Sequence, residues 1–284
     1  MRAVTLTTDF GTRDWFVGTM KGVILAIEPR AVVVDLTHEV PPGDPRAGAF
    51  ALMAGCRFFP KGTVHVAVVD PGVGGPRRAI AAQTADYWFV GPDNGVLSWA
   101  LARERVKTVR QLEARKYFLE PVSRTFHGRD IFAPVAAHLC RGLPARQLGR
   151  ELKDWVRLPW PEPVKSREVV RGEVLYVDRF GNAITNIASG PGFSEQAGVC
   201  EVIGRRKASV TVAEFYGAAP PGRPVAVMGS SGFLEIAVNG GSAARKFGLK
   251  PGDTVIVRAG KHPTEPRVAP KRKPLSAQEI AIKP

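Results

Sequence analysis

The sequence predicts an α/β chain in two parts, a mainly parallel sheet with helices on its faces and then a compact antiparallel β-barrel or sandwich. Three observations carry this. Short apolar runs alternate with helix-length stretches through the first half, the pattern of a sheet built by helical crossovers. The Pro-rich stretch Leu158–Val164 (LPWPEPV) breaks that pattern. Only short β-rich segments follow, punctuated by Gly and Pro turns.

Taken in order, Ala3–Thr7 is the first expected strand and Trp15–Ile27 the first helix, with Asp14 as its N-cap. Val32–Leu36 (VVVDL) opens on a β-branched run, as in a strand covered on both faces. Pro45–Cys56 reads as a helix of small residues, and Val64–Val69, Ala79–Gln83 and Trp88–Val90 as further strands. Val96–Ala102 and Asp130–Leu139 read as helices, the second capped by Asp130 or the residues preceding it. The later strands are expected at Val169–Val177, Ala183–Ile187, Val199–Ile203, Ala208–Val212, Pro224–Met228, Leu234–Val238 and Thr254–Val257. The expected domains are therefore 1–160, a linker over 161–168, a β domain over 169–260 and a mobile basic tail over 261–284.

With 44% hydrophobic and 23% charged residues, the composition is that of a globular protein. No apolar run approaches the ~20 residues of a membrane-spanning helix, and the N-terminus does not read as a signal peptide. Cys56, Cys140 and Cys200 form no CxxC pair, which points to buried thiols in a reducing cytoplasm rather than zinc or disulfides. The net charge of +14 raises a nucleic-acid role. Yet the tail from Lys261 supplies only +4, and no aromatics interleave with the basic clusters Arg103–Arg110 and Arg205–Lys207. A solvated basic surface is the expectation.

Polar, Gly-containing segments stand at the ends of predicted strands, where open parallel sheets bind ligands. In Thr7-Thr8-Asp9-Phe10-Gly11, Asp9 either accepts hydrogen bonds from a ribose diol or anchors the turn. Val69-Asp70-Pro71-Gly72-Val73-Gly74-Gly75-Pro76-Arg77-Arg78 lacks the GxxxxGK[ST] or GxGxxG pattern of a phosphate loop, so nucleoside triphosphates are rejected. Its acid and arginines are either chemical groups or a salt bridge holding the loop. Thr125-Phe126-His127-Gly128-Arg129-Asp130 can present an imidazole into a pocket. His65 and His138 are expected to pack inside elements, while His38, near an acid in DLTHEV, stays a candidate. No HxxxH or HExxH spacing calls for a metal. In the second half, Asp178-Arg179-Phe180-Gly181-Asn182 and Gly229-Ser230-Ser231-Gly232-Phe233-Leu234-Glu235 offer an aromatic face, amides, hydroxyls and carboxylates, or else simple turns.

Five segments in this order, TTDFG, VDPGVG-x-x-RR (numbered by Asp70 and Arg77), FHGRDIFAP, DRFGNAITN and SSGFLEIAVN, resemble the S-adenosylmethionine hydroxide adenosyltransferases, relatives of the fluorinase and chlorinase enzymes. The resemblance covers all but the tail. It implies a Rossmann-like N-terminal domain, a C-terminal β-barrel, and a homotrimer whose active sites lie between the N-domain of one subunit and the C-domain of its neighbour. It implies a catalytic Asp70, Arg77 and His127 set, with Arg78 the adjacent alternative to Arg77. It places the ribose acid at Asp9 and the methionine end near Asp14 and Phe16. Adenine-side contacts fall on Phe180, Asn182, Ser230 and Ser231, and the methionine amino group on Asp178 and Glu235, with Val238 contributing backbone. Halide-using relatives have Tyr for this Asp, Gly for this His and an inserted loop, so water is the implied nucleophile. The implied reaction hydrolyses S-adenosyl-L-methionine to adenosine and methionine without a cofactor, metal, membrane or nucleic-acid partner. A halogenase, a non-catalytic S-adenosylmethionine or adenosine binder, and an RNA-binding protein are the alternatives.

Overall fold

A computed structural model describes residues 3–166, 169–189, 199–203 and 207–258. The chain divides into two compact units, Met1–Pro161 and Glu162–Pro284. The expected tail 261–284 and Arg205–Arg206 lie outside the described residues.

The first unit holds β1 (Ala3–Thr8), α1 (Phe16–Ile27), β2 (Val32–Thr37), α2 (Pro45–Gly55), β3 (Val64–Val68), β4 (Ala79–Thr84), β5 (Trp88–Pro92), α3 (Ser98–Leu101), β6 (Val106–Gln111) and α4 (Ala133–Cys140). The sheet order is β2-β1-β3-β5-β4-β6. β2, β1, β3 and β5 run parallel, and β4 is antiparallel to both its neighbours. Val4, Leu6, Val64, Val66 and Val68 alternate onto one face and pack with Met20 and Ile24 of α1 and with Phe132, Val135 and Leu139 around α4. α2 packs against β1, β2, β3 and α3.

Two expectations are corrected, and one strand is found that the sequence reading did not place. Asp14 is exposed and is not the N-cap of α1; Trp15 takes that position with no side-chain cap, and its carbonyl is bonded by the Thr19 amide and hydroxyl instead. Asp130 does not cap α4. It lies inside a single wide π-turn, Gly128–Phe132, fully buried against Arg129. Val106–Gln111, part of which reads as a basic surface cluster, is strand β6 on the sheet edge.

The second unit holds β7 (Val164–Lys165), β8 (Val169–Val177), β9 (Ala183–Ala188), β10 (Val199–Ile203), β11 (Lys207–Ala213), β12 (Pro224–Met228), β13 (Phe233–Val238), α5 (Ala243–Phe247) and β14 (Thr254–Arg258). The order β14-β10-β11-β12-β13-β9-β8 is closed by pairing of β14 with β8, forming a seven-strand barrel, with β7 added outside β8. Its pairings are antiparallel except β11 with β12. Val174, Cys200, Val202, Val210, Leu234, Ile236, Val255 and Val257 are buried in its core, at the alternate positions that barrel interiors require. Cys56, Cys140 and Cys200 are buried, and none of them is in a disulfide among the described residues. Among the described residues, no helix is long and apolar enough to cross a membrane.

Candidate active site

β3 ends into the loop carrying Asp70, at the carboxyl edge of the parallel strands. Turn bonds from Val73 N–H to the Asp70 carbonyl and from Gly75 N–H to the Gly72 carbonyl fold that loop back. Gly74, at φ +74°, is required there: a Cβ would stand 2.2 Å from the Arg124 carbonyl oxygen. Only glycine lets this loop approach the segment that leads to His127.

The fold brings Asp70, Arg77 and His127 into one cluster. Arg77 Nε donates to Asp70 Oδ1 at 3.0 Å, and its Nη2 donates to Asp70 Oδ2. The same Nη2 lies 2.6 Å from His127 Nδ1. A guanidinium only donates, so Nδ1 accepts and the neutral ring carries its proton on Nε2. The His127 pKa is lowered, first by burial and then by the Arg77 charge, which outweigh Asp70, Asp130 and a hydrogen bond to the Ser123 backbone. Arg78 faces elsewhere: it pairs with buried Asp93 (Nε to Oδ2, 2.7 Å) and with Asp154. A cavity of about 490 Å³ opens beside His127 and Gly74, lined also by Ser123, Arg124 and Ile131.

Asp9 stands on the turn after β1, where its Oδ2 accepts the Gly43 N–H at 2.8 Å. Phe10, Phe16 and Phe126 form a tilted and T-shaped aromatic trio with centroids 5.2–5.9 Å apart. That trio joins the Asp9 turn, the start of α1 and the residue before His127. Asp14 is exposed.

On the second unit, Asp178 takes the Asn182 backbone N–H (2.8 Å) and side-chain amide (2.9 Å), closing the turn from β8 to β9. Phe180 projects from this turn, 76% exposed. Glu235 on β13 is buried and accepts the Tyr216 hydroxyl at 2.6 Å. Burial pushes the Glu235 carboxyl up; the Tyr216 hydrogen bond opposes this, and the Asp178 charge adds to it. Ser230 is exposed, the Ser231 hydroxyl is buried without a partner among the described residues, and Val238 is buried on β13. Tyr216 escapes sequence reasoning because its partner lies 19 residues away; its only sequence signal is the aromatic pair Phe215-Tyr216 before a Pro-rich turn. Among the described residues, no group of three or more His, Cys, Asp or Glu could hold a metal ion.

These features define a class: an α/β unit with an Asp–Arg–His cluster at a strand end, followed by a β-barrel unit that carries its own buried carboxylate. The chain belongs to the SAM hydroxide adenosyltransferase family, with residues 4–149 matching its N-terminal domain and residues 172–256 its C-terminal domain. It is 44% identical over 270 residues to an (R)-S-adenosyl-L-methionine hydrolase from Thermus thermophilus, covering 89% of this chain and 98% of that protein. The fold is similar to a crystal structure of a conserved protein from Thermotoga maritima (TM-score 0.84, 40% identity), covering 91% of this chain and all of that one. A fluorinase from Actinoplanes is a more distant relative, 29% identical over 287 residues, covering 89% of this chain and 96% of the fluorinase.

Proposed function

We propose that the protein hydrolyses S-adenosyl-L-methionine to adenosine and L-methionine by attack of water on C5′ of the ribose. The observation that carries the reading is the single hydrogen-bonded cluster of Asp70, Arg77 and a neutral His127. The sulfonium sulfur is stereogenic, and we take its (R) form as the substrate, as in the name of the Thermus thermophilus relative.

The bond from C5′ to sulfur breaks as the water oxygen bonds to C5′, and methionine leaves neutral at sulfur. A hydroxide-like nucleophile approaching a cation cancels charge, so a poorly hydrated pocket favours the transition state. Arg77 stabilises the developing hydroxide. Asp70 offsets the guanidinium, limiting its repulsion of the sulfonium. Each Asp70 oxygen uses one acceptor position on Arg77 and keeps another. His127 has its Nδ1 lone pair engaged by Arg77. We therefore assign the water proton to Asp70, and assign His127 to orienting the water. Alignment of the attacking oxygen supplies a further gain.

We assign Asp9 to the ribose hydroxyls, Asp14 and Phe16 to the methionine end, and Phe180, Asn182, Ser230 and Ser231 to the adenine. Asp178 and Glu235 hold the methionine amino group, with Val238 contributing backbone. The reaction itself needs no cofactor. A cytoplasmic homotrimer, with sites between neighbouring subunits, is the assembly that the sequence resemblance supports.

The test is incubation of purified protein with each sulfonium epimer, without halide and then with chloride, and identification of products by chromatography and mass spectrometry. Enzyme-dependent adenosine and methionine in both conditions are expected. A 5′-halogenated nucleoside formed only with chloride would make it a halogenase, and tight binding without product would make it a sensor.

A further inference from the structure

His38, which the reaction above does not use, is 3% exposed and stands in a continuous polar chain through the first unit. Lys21 Nζ on α1 donates to Asp35 Oδ2 on β2 at 2.6 Å. Asp35 Oδ1 lies 2.9 Å from His38 Nε2, and His38 Nδ1 lies 2.8 Å from the hydroxyl of Thr8, a fully buried residue at the end of β1. Thr8 Oγ1 accepts the Phe10 N–H at 3.2 Å, within the turn that carries Asp9. His38 Nε2 stands at ion-pair distance from the carboxylate without hydrogen-bond alignment, and on the other side of the ring Nδ1 shares a hydrogen bond with the Thr8 hydroxyl. Burial pushes the Asp35 carboxyl up, but the neighbouring Lys21 and His38 outweigh it and hold it below its usual value. Backbone bonds reinforce the same turn: Gly11 N–H to the His38 carbonyl at 2.8 Å, and Val40 N–H to the Thr8 carbonyl at 3.3 Å. The segment after His38 then reaches Gly43, whose N–H binds Asp9 Oδ2; Asp9 Oδ1 is not engaged by that bond.

We propose that the Lys21–Asp35–His38–Thr8 chain is a positioning relay that fixes the Asp9 turn for the ribose hydroxyls, with His38 its central residue. An apolar side chain could fill the same space; a chain of polar contacts in a buried site favours one geometry. The inference rests on the reading of Asp9 as the ribose-binding acid. The ribose is held in both ground and transition states, so the relay acts on substrate affinity rather than on the chemical step.

The test is a double-mutant cycle. Thr8→Val keeps the side-chain shape, and Asp35→Asn alters the half-exposed end of the relay should Thr8→Val fail to fold. Each is made in the wild-type protein and in Asp9→Ala, and KM and kcat for S-adenosylmethionine are measured. Each single change is expected to raise KM about tenfold with kcat within about twofold, and to add less than about twofold in Asp9→Ala. Equal effects in both backgrounds, or no change in KM for the single variants while Asp9→Ala raises it, overturn the relay alone. An unchanged KM in Asp9→Ala overturns the ribose reading, and the relay with it.

Discussion

Arg77 and Arg78 are neighbours of identical chemistry with different surroundings. Arg77 joins Asp70 and His127, whereas Arg78 neutralises buried Asp93 and reaches Asp154. In the proposed reaction Arg77→Ala lowers kcat roughly 100-fold with KM within about threefold, as for loss of a transition-state donor. Arg78→Ala instead leaves a buried carboxylate unpaired and lowers unfolding stability by about 3 kcal/mol. Steady-state kinetics and urea unfolding of the two variants check the contrast. His127 supplies a second prediction at this scale. Its pKa is lowered by burial and by Arg77, so kcat/KM stays level as pH falls to the ordinary imidazole value near 6.5. Activity declines only below that, when protonation removes the Nδ1 acceptor and adds a second cation beside Arg77. An acid limb centred at or above 6.5 would contradict this. Of the two arginines, the family resemblance, through the spacing from Asp70, already favours Arg77. Asp130 misleads, because an acid ahead of an apolar helix reads as a cap, and only the wide turn at Gly128–Phe132 reveals it as buried against Arg129.

At the scale of elements, β3 shows how a strand can hide a titratable group. His65 is fully buried, bonded to Thr5 at 2.7 Å and ringed by Phe59, Tyr87 and Phe89. Burial pushes its pKa down to about 4. Between that value and the unfolded value near 6.5, the unfolded chain binds the extra proton, so stability falls as pH falls through this window. The loss amounts to about 3 kcal/mol. Urea unfolding at pH 7 and pH 4 should show it in the wild type, and His65→Leu should remove that share of the pH dependence. Equal slopes for the two proteins would contradict the account. The sequence places β3 and marks His65 as packing because the apolar run around it is continuous. β6 goes unread for the opposite reason: VKTVRQ mixes charge into its alternation, as an edge strand tolerates. The Gly-rich loop after β3 is visible in sequence, but the need for Gly74 is not, because the atom it avoids belongs to Arg124, 50 positions away.

Across the whole molecule, the split into an α/β unit and a β unit is legible because hydrophobic period and turn content change together after Leu158–Val164. Barrel closure is not legible, since it depends on β14 pairing with β8 from the far end of the unit. The charge of +14 likewise reads as a surface property, not as an activity. The proposed function is one displacement at one carbon. The measurement that tests this most directly is turnover of S-adenosylmethionine in ¹⁸O-labelled water, followed by mass spectrometry of both products. Attack of water at C5′ predicts one labelled oxygen in adenosine and none in methionine. Unlabelled adenosine, or label found only in another product, would contradict the account.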